Sequence, residues 1–194
     1  MKNNTTLINS LLSTYKINTH YKNIALVLFG TLLLTISSKV QVPFWPVPMT
    51  MQTFVILLIG ITLGYRIGLA TVALYLFEGI IGLPVFASSP EKGIGMAYFI
   101  GPTMGYLIGF LVAVYFAGLF KYDKGLINTF FKLIFSVSFI YILGLIWLGT
   151  LIGWDKPIFK LGAEPFLLAE LFKMLLLLFL TPTLLKAKKL IKIT

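Results

Sequence analysis

The stretch GIGMAYFIGPTMGYLIGFLVAVYFAGLF, residues 93–120, carries no charged side chain over 28 positions. A second uncharged run, VQVPFWPVPMTMQTFVILLIGITLGY, covers residues 40–65. Each exceeds the roughly 20 apolar residues that take a helix across the hydrocarbon core of a bilayer. Outside these runs the composition is of the same kind: 58% of the 194 residues are hydrophobic and 11% are charged. Soluble domains carry about 25% charged residues, and here the mean hydropathy is +0.96. Such a chain cannot coat a globule with polar groups, and in lipid a helix satisfies its own backbone donors and acceptors. The reading is an all-α integral membrane protein.

Charges and helix breakers divide the chain into six expected spans, near residues 24–38, 50–64, 67–83, 96–120, 131–152 and 166–185. Lys39 ends the first, and Pro43, Pro46 and Pro48 keep the following segment out of a helix, because proline lacks an N–H and clashes with the preceding turn. The second and third spans are short and separated only by Tyr65-Arg66, which predicts a helical hairpin. Residues 1–23 read as a polar cytoplasmic tail with an interfacial helix over 7–17, residues 24–186 as the six-helix membrane domain, and residues 187–194 as a basic cytoplasmic tail.

The net charge of +10 fits this topology better than a nucleic-acid surface, which is not expected. With both termini inside, the cytoplasmic segments hold eleven basic residues, namely Lys2, Lys16, Lys22, Arg66, Lys121, Lys124, Lys132, Lys186, Lys188, Lys189 and Lys192. The opposite side holds four, Lys39, Lys92, Lys156 and Lys160, a bias that follows the positive-inside rule. There is no cysteine and one histidine, His20, which excludes thiolate chemistry and argues against a histidine triad or metal cluster. No phosphate-binding loop of the G-x-x-x-x-G-K-[ST] type occurs, so any ATPase is another chain.

Charged residues inside spans are costly and mark sites. Three stand out: Glu78, Glu170 and Lys173. Glu170 and Lys173 are three apart and share a helical face, offering one acceptor beside one donor, a match for a cyclic urea or amide. Glu78, near the end of its span, reads as an interfacial or backbone-capping residue. Trp45, Tyr106 and their aromatic neighbours near span ends are belt residues, some of them available to line an apolar pocket. Gly101, Gly105 and Gly109 are spaced for close helix packing along the fourth span.

Four ordered segments resemble the BioY biotin-transport proteins, the substrate-binding components of energy-coupling factor (ECF) transporters. PVPMTMQTF at 46–54 is similar to the family's PVPxTxQTx, and LYLFEGIIGLPVFA at 74–87 to YLxxGxxGLPVFA. GPTMGYLIGF at 101–110 is similar to GPTGGYLxGF, and PFLLAELFK at 165–173 to PFxxxDxxK. The resemblance implies a six-helix bundle that binds biotin from the outer side of a prokaryotic plasma membrane, with outer loops closing over it. The family's last-helix acid and lysine, which contact the ureido ring, fall on Glu170 and Lys173. Thr50, Gln52, Tyr106 and Trp45 complete the expected contact set, with Lys92 in the loop after Ala87 standing in for the carboxylate partner.

This chain departs from the pattern with Glu at 170 in place of Asp and with Met104 in place of a glycine. A small-residue pattern on the first helix, where the family meets its coupling partner, is reduced to Ala25, Gly30 and Thr31. The expected partners are biotin, membrane lipid, a coupling membrane protein with ATPase subunits, and a further copy of the chain. No cofactor is expected, and biotin is the transported ligand rather than a prosthetic group. The competing readings are a component for another vitamin, a small intramembrane enzyme and a structural membrane subunit.

Overall fold

A computed structural model describes residues 19–191. Helix α1 (Thr19–Lys39) ends at the expected lysine. Two short strands follow, β1 (Gln41–Val42) and β2 (Met49–Thr50), paired antiparallel with Gln41 opposite Thr50. They bracket the proline-rich segment that cannot be helical, and they are the one non-helical element type among the described residues. Helix α2 (Gln52–Ile80) comes next, then α3 (Gly95–Phe99) and α4 (Met104–Leu119). Helix α5 (Gly125–Ile152), the short α6 (Ile158–Gly162), a 3₁₀ turn at Glu164–Phe166 and α7 (Leu167–Ile191) complete the chain.

The expected hairpin lies inside α2. Gly64 has φ 78° and ψ 171°, outside helical space and in a region essentially reserved for glycine. The chain reverses there: a Cβ built on Gly68 lies 3.8 Å from the Cα of Gly60. Gln52 Nε2 also donates to the Tyr75 hydroxyl at 2.7 Å, two residues that a straight helix would hold roughly 35 Å apart. Helix α4 packs between this hairpin and α5. Gly60 faces Ala117 and Val114 of α4, and Gly109 faces the Ile140 backbone of α5, 2.6 Å from where a Cβ would stand.

Among the described residues, four helical stretches are long and apolar enough to cross a membrane, His20–Lys39, Gln52–Ile80, Gly125–Ile152 and Ile158–Lys186, and Met104–Leu119 is a shorter apolar helix. Large apolar side chains such as Phe131, Leu168, Phe172 and Phe179 are exposed on the outside, as lipid-facing residues are. Inside, Leu34, Ile56, Tyr75, Phe86, Val114, Ile140 and Leu177 are fully buried.

Two expectations are corrected. The fourth span is not one helix over 96–120: it breaks between Phe99 and Met104, where Gly101-Pro102 removes a backbone donor and Trp147 Nε1 binds the Gly101 carbonyl at 2.8 Å. Gly101 therefore belongs to a turn, while Gly105 and Gly109 keep the packing role. The fifth helix begins at Gly125 rather than near 131, while the last apolar stretch ends at Lys186, close to the expected 185. The interfacial helix expected over 7–17 lies outside the described residues.

Candidate functional site

The 3₁₀ turn at Glu164–Phe166 delivers the chain into α7 with Glu170 in its first turn, where the helix dipole favours a carboxylate. Lys173 follows on the same face, with Nζ 2.6 Å from Glu170 Oε1. Both are buried, 4% and 8% exposed, so neither charge is relieved by water and the surrounding bonds decide whether the pair is tolerable. The hairpin of α2 supplies those bonds. Thr53 Oγ1 donates to Glu170 Oε1 at 2.8 Å, and Lys173 Nζ donates to Thr53 Oγ1 at 3.1 Å and to the Thr50 carbonyl at 2.6 Å. All three ammonium donors are engaged.

The carboxylate is only half satisfied. Glu170 Oε2 is buried and has no hydrogen bond among the described residues. Tyr141 of α5 lies beside the same carboxylate and can donate to it. A buried acceptor left unpaired costs about 1–3 kcal/mol, and more when charged, so a donor brought to this oxygen is stabilising.

Glu170 stands in the wall of a cavity of about 60 Å³. That is below the roughly 300–1,000 Å³ of small-molecule sites, so the walls must move to admit a ligand. Thr50, Gln52, Thr53, Tyr106 and Tyr141 are among its other polar residues, and Val47, Phe86, Phe110, Ile140 and Phe166 are among its apolar walls. The polar lining is itself held in place. Gln52 is bonded to Tyr75, whose hydroxyl donates to the Val85 carbonyl at 2.9 Å, and the Tyr106 hydroxyl donates to the Gly162 carbonyl at 2.8 Å. A second, outer cavity is lined by Trp45, Ser88, Lys92 and Gly101, and it shares Pro48, Tyr98 and Thr103 with the inner one. Burial pushes the Tyr98 phenol above its usual range, so it stays a donor, and it binds the Ala87 carbonyl.

Of the seven residues singled out from sequence, the fold brings Thr50, Gln52, Tyr106 and Glu170 to the inner cavity. Lys173 sits behind that wall, joined to Glu170 and Thr50. Trp45 and Lys92 line the outer chamber instead, and Trp45 is 74% exposed. Glu78 lines neither cavity: it is half-buried beside Thr31 of α1. Met104, at the start of α4, is half-buried as well. Sequence reasoning missed Thr53 and Tyr141. Thr53 lies inside the quoted 46–54 segment, three residues after Thr50, and that spacing was its one available signal.

The profile of the BioY family matches residues 7–190. The chain is 34% identical over 152 residues to a probable biotin transporter BioY of Pyrococcus horikoshii, covering 78% of this chain and 89% of that protein. It is 32% identical over 145 residues to the biotin transporter BioY of Thermotoga maritima, covering 74% and 84%. Its fold is similar to the crystal structure of the S-component for biotin from an ECF-type ABC transporter, with a TM-score of 0.74 and 25% identity over 89% of this chain and 95% of that one. With nearly the whole sequence matched and the fold shared, this chain belongs to the BioY family.

Proposed function

We propose that this protein captures biotin from the outer side of a prokaryotic plasma membrane and passes it inward as the substrate-binding subunit of a transporter. The observation that carries this reading is Glu170 in the wall of an apolar, aromatic cavity, with its Oε2 buried and without a hydrogen bond among the described residues. A ureido N–H supplies the donor that this oxygen lacks, and the fused rings replace water against Phe86, Phe110 and Phe166. Lys173 and Thr53 hold the carboxylate in place, and Lys173 reaches the ureido carbonyl by exchanging its bond to the Thr50 carbonyl. Gln52 and Tyr106 shape the cavity walls. The valerate chain runs past Pro48, Tyr98 and Thr103 towards Trp45 and Lys92, whose ammonium meets the carboxylate.

In this reading the chain crosses the membrane six times, through α1, the two arms of α2, α4, α5 and α7. The membrane domain covers 24–186, with the segments 1–23 and 187–194 cytoplasmic. The eleven-to-four excess of basic residues supports that orientation, and it sets Lys39, Lys92 and both cavities on the outer side. Uptake against a gradient is powered in trans by a coupling membrane protein and ATPase subunits. Support for these partners is the similarity to an S-component of an ECF-type transporter and the lack of a phosphate-binding loop.

Equilibrium binding of labelled biotin to the purified protein tests the reading. Saturable one-site binding is expected, with riboflavin and thiamine failing to compete. Biotin at 100 times its dissociation constant raises stability by about 2.7 kcal/mol. A folded, monodisperse preparation that binds no biotin at millimolar concentration refutes the proposal.

A further inference from the structure

Lys39 is the last residue of α1 and lines neither cavity. A lysine at a helix C-terminus is ordinarily served by the helix's own last carbonyls and by water. This one reaches instead into the loop that follows α2. Its ammonium donates to the Phe86 carbonyl at 2.8 Å, to the Ser89 carbonyl at 2.6 Å and to the Ser89 hydroxyl at 3.1 Å. Those bonds use all three of its donors, and each is charge-assisted, roughly twice as strong as a neutral one.

The loop it grips is a wall of the inner cavity, with Phe86 and Ala87 both lining it. Phe86 is 1% exposed, its ring stacked on Tyr98 at 5.2 Å and edge-on to Tyr75 at 5.5 Å. Between the gripped residues stands Ser88 with φ 54°, a left-handed conformation disfavoured for a residue with a Cβ. Such a residue persists where its surroundings over-determine it, and Lys39 holds the backbone on both sides of it. Glu170, Gln52 and Phe86 are all nearly inaccessible, and a cavity of about 60 Å³ has no room for a ligand of ordinary size unless a wall gives way. This wall is irregular loop, whereas α2, α4, α5 and α7 supply most of the others.

We propose that Lys39 is a positioning residue: by holding residues 86–89 across the strained Ser88 it fixes the cavity wall and sets how long a bound ligand stays. The identity of that ligand rests on the biotin reading above. The latch itself stands on the bonds of Lys39.

The test uses the purified full-length protein, with labelled biotin chased by unlabelled excess. Lys39→Met keeps the stem and removes the donors. Its dissociation rate is expected to rise about tenfold, while association changes by less than about threefold, since related complexes differ mostly in dissociation. The melting temperature without ligand is expected to fall as well, since three charge-assisted bonds are lost, so residence time is the deciding readout: a purely structural lysine lowers stability without changing it. Lys39→Arg retains the charge in a planar fork and is expected to fall between the two. Lys156→Met, a substitution of an exposed loop lysine outside both cavities, controls for surface charge and is expected to behave as wild type. If Lys39→Met does not fold, Ser89→Ala removes one of the three acceptors and is expected to speed dissociation by a smaller factor. Dissociation from Lys39→Met within about twofold of wild type, equal acceleration in Lys156→Met, or an unchanged rate in Ser89→Ala overturns the latch. If the wild type binds no biotin, the functional reading fails separately. Amide hydrogen exchange at residues 86–89 then decides the latch, with faster exchange in Lys39→Met supporting it and unchanged exchange overturning it.

Discussion

Replacing Glu170 by Gln changes the hydrogen-bonding polarity of the site while keeping its shape. In the native cluster Oε1 accepts from Lys173 at 2.6 Å and from Thr53 at 2.8 Å, and Oε2 has no hydrogen bond among the described residues. The amide oxygen of Gln must stay with those two donors, since turning the NH₂ towards Lys173 would set donor against ammonium. The amide nitrogen then takes the place of Oε2, and an acceptor becomes a donor facing a ureido N–H. Hydrogen bonds to charged groups contribute about 1.5–3 kcal/mol, so biotin affinity should fall by roughly tenfold to more than a hundredfold. Stability without ligand should fall by less than the ~3–5 kcal/mol of outright removal of a buried ion-pair partner, because the amide oxygen still accepts. Isothermal or radiolabel binding beside thermal unfolding reads both quantities. The double variant Glu170→Gln with Lys173→Met removes the uncompensated charge and should recover stability, yet not affinity. If biotin binds Glu170→Gln, or the double variant, as tightly as wild type, the carboxylate is a structural counter-ion and the binding role is refuted.

Other perturbations test the frame that holds the site. Gly64→Ala forces a Cβ into the turn at φ 78° and should cost about 1–3 kcal/mol in thermal unfolding, with weaker biotin binding because Thr50 and Thr53 belong to the hairpin that turn closes. Gly79→Ala drives a methyl into the Phe86 ring. Overpacking of this kind costs about 1–3 kcal/mol, and the displaced ring should also lower biotin affinity; a wild-type melting curve would contradict the packing. Tyr106→Phe loses the bond to the Gly162 carbonyl, a change expected to cost about 1 kcal/mol of stability and readable in the same denaturation experiment.

Much of the membrane architecture is written in local chemistry. Charge-free runs and the positions of Lys39, Arg66 and Lys121 mark where apolar helices end or turn, because burying a charge in an apolar helix is so unfavourable that one residue decides a boundary. The i,i+3 pair Glu170 and Lys173 was legible for the same reason. The break between Phe99 and Met104 was not: uncharged Gly101-Pro102 hardly alters summed hydropathy, and the turn is stabilised by a Trp147 bond from a residue 46 positions away. Thr53 joined the site only in three dimensions, since a threonine in an apolar helix is unremarkable until Glu170, 117 residues on, is packed against it. Lys39 shows the same division. From sequence it is a charge that ends a helix, and only the packed loop gives its three donors a purpose. Hydropathy and helix-breaking are properties of short windows, so the chain alone determines where segments lie. Hydrogen-bond partners and cavity walls depend on which segments pack together, and that the tertiary structure decides.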